Sequence, residues 1–267
     1  METLQIPAIS FAAMAVSAVL SIGAPIVLFF AVRKRYGKGV LPVLVGGAGF
    51  LLFAMVLEQI LHMAVLRPGA DGSTTLAQHP YLYMLYGGLA AGVFEESARF
   101  VSFHILKKRR EGFGTALKHG IGHGGIEAVF LGGVSLISGI VLAAMCNTMG
   151  VEGISALGMP AVLEQVRAIA ATSPAMLLIS GAERLMALGI QISLSVVVYF
   201  SVYQPRKLWL FPLAVLLHAL VDCPAALYQA GKITNVWAVE GIVLASMAAL
   251  VFIAVLIHKR LEPKETA

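Results

Sequence analysis

The stretch His119-Gly120-Ile121-Gly122-His123-Gly124-Gly125-Ile126-Glu127 sets three polar side chains at intervals of four, separated by glycines. At 3.6 residues per turn, positions four and eight apart drift by only about 80° in total, so His119, His123 and Glu127 share one face of a helix. An uncharged apolar run from Ala128 to Cys146 follows directly. The polar face therefore looks into a membrane bundle, where ionisable side chains are expensive and by default functional.

Composition agrees. Of 267 residues, 59% are hydrophobic and 12% charged, about half the charged share of a soluble domain. The net charge of +5 does not indicate nucleic acid, because the basic residues sit in short clusters between apolar runs rather than on one folded face. The N-terminus lacks the basic start of a secretory signal, and its first apolar run is too long for one, so that run is expected to be a retained helix. Cys146 and Cys223 are too few for a disulfide framework and are expected to be small core residues.

Seven segments are long enough to cross a hydrocarbon core, which takes about 20 helical residues. They fall near 8–32, 40–66, 81–106, 113–146, 174–203, 208–230 and 237–258. Arg33, Lys34, Arg35, Lys38, Lys107, Lys108, Arg109, Arg110, Lys118, Arg206, Lys207, Lys259, Arg260 and Lys264 fall at one set of ends. Only Arg67, Arg167 and Lys232 fall at the other. By the positive-inside rule the N-terminus lies outside and the C-terminus in the cytoplasm. The expectation is an all-α polytopic membrane helix bundle, one transmembrane domain over 1–267, in a bacterial inner membrane. On the outer side, 67–80 is a turn-rich connection containing Pro68-Gly69-Ala70-Asp71-Gly72. Residues 147–173 form a longer loop in which Pro160 opens a short interfacial helix to Ala171, bearing Glu164, Gln165 and Arg167.

Depth along each helix can be compared at 1.5 Å per residue. Glu96 lies roughly 16 Å from Lys107, His218 roughly 16 Å from Lys207, and His123 roughly 8 to 18 Å from the start of its helix. Three helices can thus bring Glu95 or Glu96, His123 and His218 to one level. Arg99 stands four residues from Glu95 and three from Glu96, within reach of both, and would hold one carboxylate while the other exchanges a proton with water. Asp222, four residues after His218, is expected to orient that imidazole. Glu58 with His62, and Glu183 with Arg184, lie in the outer halves of their helices and are expected to make structural polar contacts. Glu127, Glu183 and Arg184 are kept as supporting candidates.

Such a set suits hydrolysis, in which a glutamate deprotonates water and histidines either hold a metal or hydrogen-bond the oxyanion. His119 and His123 are the candidate ligands for a zinc ion, with His218 or Glu127 as the third, although the spacing differs from H-E-x-x-H because Gly120 follows His119. Metal-dependent and metal-free mechanisms both stay open. The same side chains could serve a proton- or cation-coupled transporter or a non-catalytic metal-binding membrane protein. The glycines beside the histidines could also let an unwound substrate approach the backbone, and most other helix glycines indicate close packing.

The combination Glu95-Glu96-x-x-Arg99, His119-Gly-x-Gly-His123-Gly-Gly-x-Glu127, Glu183-Arg184 and His218-x-x-x-Asp222 resembles the YhfC family of bacterial membrane proteins over nearly the whole chain. It is more distantly similar to the CAAX-protease and bacteriocin-processing group and to PrsW-type proteases. The first resemblance implies an intramembrane metalloprotease. The second implies that Glu95 activates water, with His123, His218 and Asp222 completing the site. Two departures separate this chain from that wider group. Two residues rather than three lie between Glu96 and Arg99, which leaves open which glutamate is the base, and His119 stands where a phenylalanine is expected. The expected function is therefore an intramembrane peptidase acting in or near the transmembrane segment of a membrane protein or peptide substrate in the lipid bilayer.

Overall fold

The computed structural model describes residues 4–67, 76, 78–107 and 112–262. The turn-rich Pro68–Gly72 stretch, Lys108, Arg109, Arg110 and Lys264 lie outside the described residues. All regular structure among the described residues is helical: α1 (Ala8–Tyr36), α2 (Leu41–Leu52), α3 (Gln59–Val65), α4 (Pro80–Leu106), α5 (Phe113–Glu127), α6 (Ser135–Ala156), α7 (Pro160–Ala171), α8 (Pro174–Tyr203), α9 (Leu210–Gln229) and α10 (Val236–Leu261). A π-helical turn over Phe53–Glu58 joins α2 to α3, and another over Ala128–Val134 joins α5 to α6.

Six of the resulting rods are long and apolar enough to cross a membrane. Helix α4 has 27 residues, also enough, but it concentrates Glu95, Glu96 and Arg99 in its middle, a cost that only an internal polar partner set can offset. The chain is thus a multi-pass membrane protein. Helix α7 begins and ends where Pro160 and Ala171 were expected to bound it, and its Arg167 and Glu164 pair at 3.1 Å on an exposed face. Residues 147–156, expected as loop, instead extend α6, with a break at Gly150 where φ is +70°. Asn147 explains the extension: its side chain both accepts from the Ile6 N–H (2.9 Å) and donates to the Ile6 carbonyl (2.8 Å), so the helix must continue to that level. Cys146 and Cys223 are free thiols.

The chain groups into two compact units, Met1–Val27 with Glu127–Leu185, and Leu28–Ile126 with Met186–Ala267. In the first, Met14, Ala143, Cys146, Ile154, Val166 and Leu177 form the apolar core. Ser17 Oγ donates to the Leu177 carbonyl at 2.7 Å, and a Cβ on Gly181 would stand 2.6 Å from that hydroxyl.

In the second unit, small residues draw the helices together, as membrane helices without a hydrophobic driving force require. Helix α4 lies so close to α9 that a Cβ on Gly88 would be 2.6 Å from the Ala219 carbonyl oxygen, and one on Gly92 equally close to that of Val215. Gly46 and Gly122 do the same between α2 and α5, and Gly120 and Gly124 bring α5 against Ile192 and Gln191 of α8. The space beside the histidines is therefore filled by neighbouring helices, and the expected approach of substrate along Gly120, Gly122 and Gly124 does not hold. Around this frame pack Phe103, Leu194, Val197, Phe200, Leu210 and Ala214.

Gly87 and Gly88 separate the packing contribution from helix propensity. Gly88→Ala forces a backbone carbonyl aside and should lower the stability of the detergent-solubilised protein by about 1 to 3 kcal/mol. Gly87→Ala, with open space at that position, should leave stability unchanged or raise it by roughly 0.5 to 1 kcal/mol. Equal effects in thermal unfolding would show that α4 and α9 are not in this close contact.

Candidate active site

Four helices of the second unit converge on one buried polar group. Glu95, Glu96 and Arg99 come from the middle of α4, His119 and His123 from α5, Gln191 and Ser195 from α8, and His218 and Asp222 from α9. The close approach of α4 to α9 at Gly88 and Gly92 puts the carboxylates opposite His218, and Gly124 against the Gln191 side chain puts α5 beside α8.

Arg99 organises the set. It is fully buried, and its Nη1 donates to Glu96 Oε1 at 2.6 Å. Its Nε donates to Ser195 Oγ at 3.3 Å, and its Nη2 donates to Gln191 Oε1. Three directions of the guanidinium fork are thus satisfied inside the membrane, the condition under which a buried cation is tolerable. Glu95 lies farther from it, at 3.7 Å.

The two glutamates differ in kind. Glu96 is sealed from solvent, and its Oε1 also accepts from His218 Nδ1 at 2.6 Å. Glu95 keeps 11% of its side-chain exposure, and its Oε2 accepts from His123 Nε2 at 2.9 Å and Gln191 Nε2 at 3.0 Å. Arg99 and His218 therefore hold Glu96, whereas Glu95 is held by His123 and Gln191 and keeps a partly exposed edge.

The His218 ring faces Glu96 with its Nδ1 edge. Its Nε2 then points between Glu95 Oε2 (3.9 Å) and Asp222 Oδ2 (3.5 Å). Asp222 faces His218 Nε2 as its i,i+4 spacing predicts, from the more exposed side, and Glu96 adds the shorter contact on the opposite nitrogen. Phe50 packs edge-on against His123, with centroids 5.2 Å apart.

His119 stands apart from the carboxylates. Its Nδ1 is 3.2 Å from Ser195 Oγ, its ring lies 4.4 Å from that of Phe103, and its Nε2 is buried without a hydrogen-bond partner among the described residues. The expected ligand set of His119, His123 and His218 does not form. Among the described residues no three His, Cys, Asp or Glu side chains are grouped to hold a metal ion. The physical reason is that His123 Nε2 and His218 Nδ1 each turn to a carboxylate, leaving His123 Nδ1 buried without a hydrogen-bond partner among the described residues, while His119 turns toward a serine and a phenylalanine. The residues as arranged do not fit a three-ligand zinc centre.

The supporting candidates Glu127, Glu183 and Arg184 belong to the first unit. Arg184 Nη1 is 3.2 Å from Glu127 Oε1, and its Nη2 pairs with Glu183. Arg184 and Glu183 also line a cavity of about 690 Å³ within that unit, whose other walls include Met14, Leu131, Leu142 and Ile169. None of the carboxylate and imidazole residues of the second unit lines it.

Sequence reasoning missed Gln191 and Ser195 as members of the site. The available signal was their spacing: Gln191, Ser195, Tyr199 and Tyr203 recur every four residues, a polar and aromatic stripe along one face of α8.

An all-helical multi-pass membrane protein with glutamates and histidines assembled in its interior defines the class. The chain matches the family described as YhfC intramembrane metalloprotease over residues 17–243, and it belongs to that family. It is 36% identical over 239 residues to the uncharacterized membrane protein YhfC of Bacillus subtilis (strain 168), a similarity covering 89% of this chain and 92% of the relative. No solved structure matches.

The ion pairs make unequal contributions. Arg99→Met leaves Glu96 buried without its cation and should cost about 3 to 5 kcal/mol. Arg167→Ala removes an exposed pair and should cost less than about 1 kcal/mol. Unfolding by denaturant in detergent micelles measures both, and comparable losses would contradict a central role for Arg99.

Proposed function

We propose that this protein is an intramembrane peptidase in which Glu95 activates water to cleave a peptide bond in or near the transmembrane segment of a membrane-protein substrate. The observation that carries this reading is the asymmetry of the two carboxylates: Glu96 is locked by Arg99 and His218, whereas Glu95 is oriented by His123 and Gln191 and keeps an accessible edge.

In this reaction Glu95 takes a proton from water as the oxygen attacks the scissile carbonyl, which supplies general-base catalysis. The negative charge that develops on the carbonyl oxygen is met by imidazole N–H groups, which are effective in a water-poor site because they are already oriented. The ring nitrogens not turned to Glu95 and Glu96, His123 Nδ1 and His218 Nε2, are the candidates. Collapse of the tetrahedral intermediate breaks the C–N bond, and the proton held by Glu95 passes to the leaving nitrogen. Glu96 and Arg99 act by positioning His218, and Asp222 by facing its Nε2. The family's description names a metal. No step here runs through one, because no three His, Cys, Asp or Glu side chains among the described residues are grouped to hold it.

Glu95→Gln should lower cleavage of a transmembrane reporter in proteoliposomes by roughly 100- to 10,000-fold, with membrane insertion intact. Glu96→Gln and His218→Ala should also abolish cleavage, and full activity in all three variants would remove the proposal. Dialysis against a chelator should leave cleavage in place, whereas a loss that zinc restores would return the reaction to metal chemistry. Cation flux in the same liposomes without cleaved product would favour the transporter reading.

A further inference from the structure

The side chains that face the site differ at the two ends of α4. Toward its Leu106 end they are apolar and aromatic and packed together. Phe103, Leu106 and Tyr199 are at most 1% exposed, the Phe103 and Tyr199 rings meet edge-on at 5.6 Å, and Tyr199 stacks on Tyr203 at 4.4 Å. Tyr203 Oη donates to the Phe103 carbonyl at 3.2 Å, fixing this aromatic plug directly beneath His119. Among the described residues these packed rings cover the site on that side.

Toward the Pro80 end the opposite holds. Asp222 keeps 39% of its side-chain exposure beside His218. Glu58, at the end of the π-helical turn, lies within electrostatic reach of Glu95, His218 and Asp222. Its Oε1 pairs with His62 Nε2 at 3.2 Å, and His62 Nδ1 is 2.7 Å from Tyr86 Oη. His62 retains 24% exposure, and Tyr86 is half-buried. One turn nearer the end of α4, Tyr83 Oη donates to Gln229 Oε1 at 3.1 Å. An aspartate, a glutamate, a histidine and two tyrosines thus step from the site toward one end of the helices. Lipid cannot satisfy partly exposed groups of this kind, and water can. π-helical turns recur at functional sites, and here the turn ends on Glu58, the buried member of the series.

We infer that water enters the site through a vestibule at the Pro80 end of α4, walled by Asp222, Glu58, His62 and Tyr86, and not through the Leu106 end. This deepens the peptidase reading and rests on it for its catalytic meaning. Amide hydrolysis consumes one water and no net proton, so the vestibule supplies the nucleophile and lets Glu95 equilibrate with solvent between turnovers. The charge rule places this end outside the cell. The expected substrates are then those whose scissile bond lies in the outer half of their membrane segment.

Single cysteines at His62, Tyr86, Ser102 and His79, in a full-length background lacking Cys146 and Cys223, test the path without requiring cleavage. A membrane-impermeant, sulfonated methanethiosulfonate is applied to vesicles of each orientation, with H79C at the mouth of α4 marking the Pro80 face. H62C and Y86C should react in the orientation that labels H79C, while S102C, below the site, reacts in neither. The inference is overturned if H62C and Y86C resist the water-soluble reagent in both orientations yet take a lipid-soluble maleimide, or if S102C is the position that reacts. Size-exclusion profiles identify any variant that fails to fold, and two vestibule positions keep the test decisive. Labelling as expected without cleaved product would sink the peptidase reading while leaving the vestibule.

Discussion

A guanidinium held at the centre of a membrane bundle is the constraint on which the second unit depends. Arg99 cannot lose its proton, so its burial is tolerable only if donors on every side find acceptors. Glu96, Ser195 and Gln191 provide them from two helices. Once Arg99 and Glu96 are fixed, Glu96 can fix His218, and Gln191 can bridge Arg99 to Glu95. The Arg99–Glu96 pair lies within α4, and the bonds to Ser195, Gln191 and His218 cross to α8 and α9, so the arrangement that satisfies the charge also ties α4 to both.

Much of this was legible in the sequence. Glu95, Glu96 and Arg99 sit at helical spacing in an apolar segment, and counting residues from the basic ends puts His218 and Glu96 at one depth. What could not be read is direction around each helix axis. His119 and His123 do share a face, with ring centroids 6.1 Å apart, yet one turn of α5 separates surroundings of Ser195 and Phe103 from those of Glu95. Gln191 and Ser195 carry weak signal because single polar residues are common in membrane helices. The turns at Phe53–Glu58 and Ala128–Val134 leave no trace in the hydrophobic period, since one added residue per turn shifts a face without altering composition.

Membership of the YhfC family and the site's geometry bear differently on metal. The family's description names a metalloprotease, while the imidazoles here are engaged with carboxylates and His119 is directed elsewhere. Direct carboxylate–imidazole pairing orients both rings and leaves one nitrogen of each, His123 Nδ1 and His218 Nε2, turned away from the short carboxylate contacts. Glu127, Glu183 and Arg184 form a separate ion network in the first unit, where Arg184 of α8 pairs with both carboxylates.

The central claim is that an acid from α4 and an imidazole from α9 act on each other inside the membrane. A double-mutant cycle on stability between Glu96→Gln and His218→Gln measures that directly. The contact at 2.6 Å calls for a coupling energy in the range of about 0.5 to 3 kcal/mol for interacting neighbours. Additive effects, with no coupling beyond error, would contradict it.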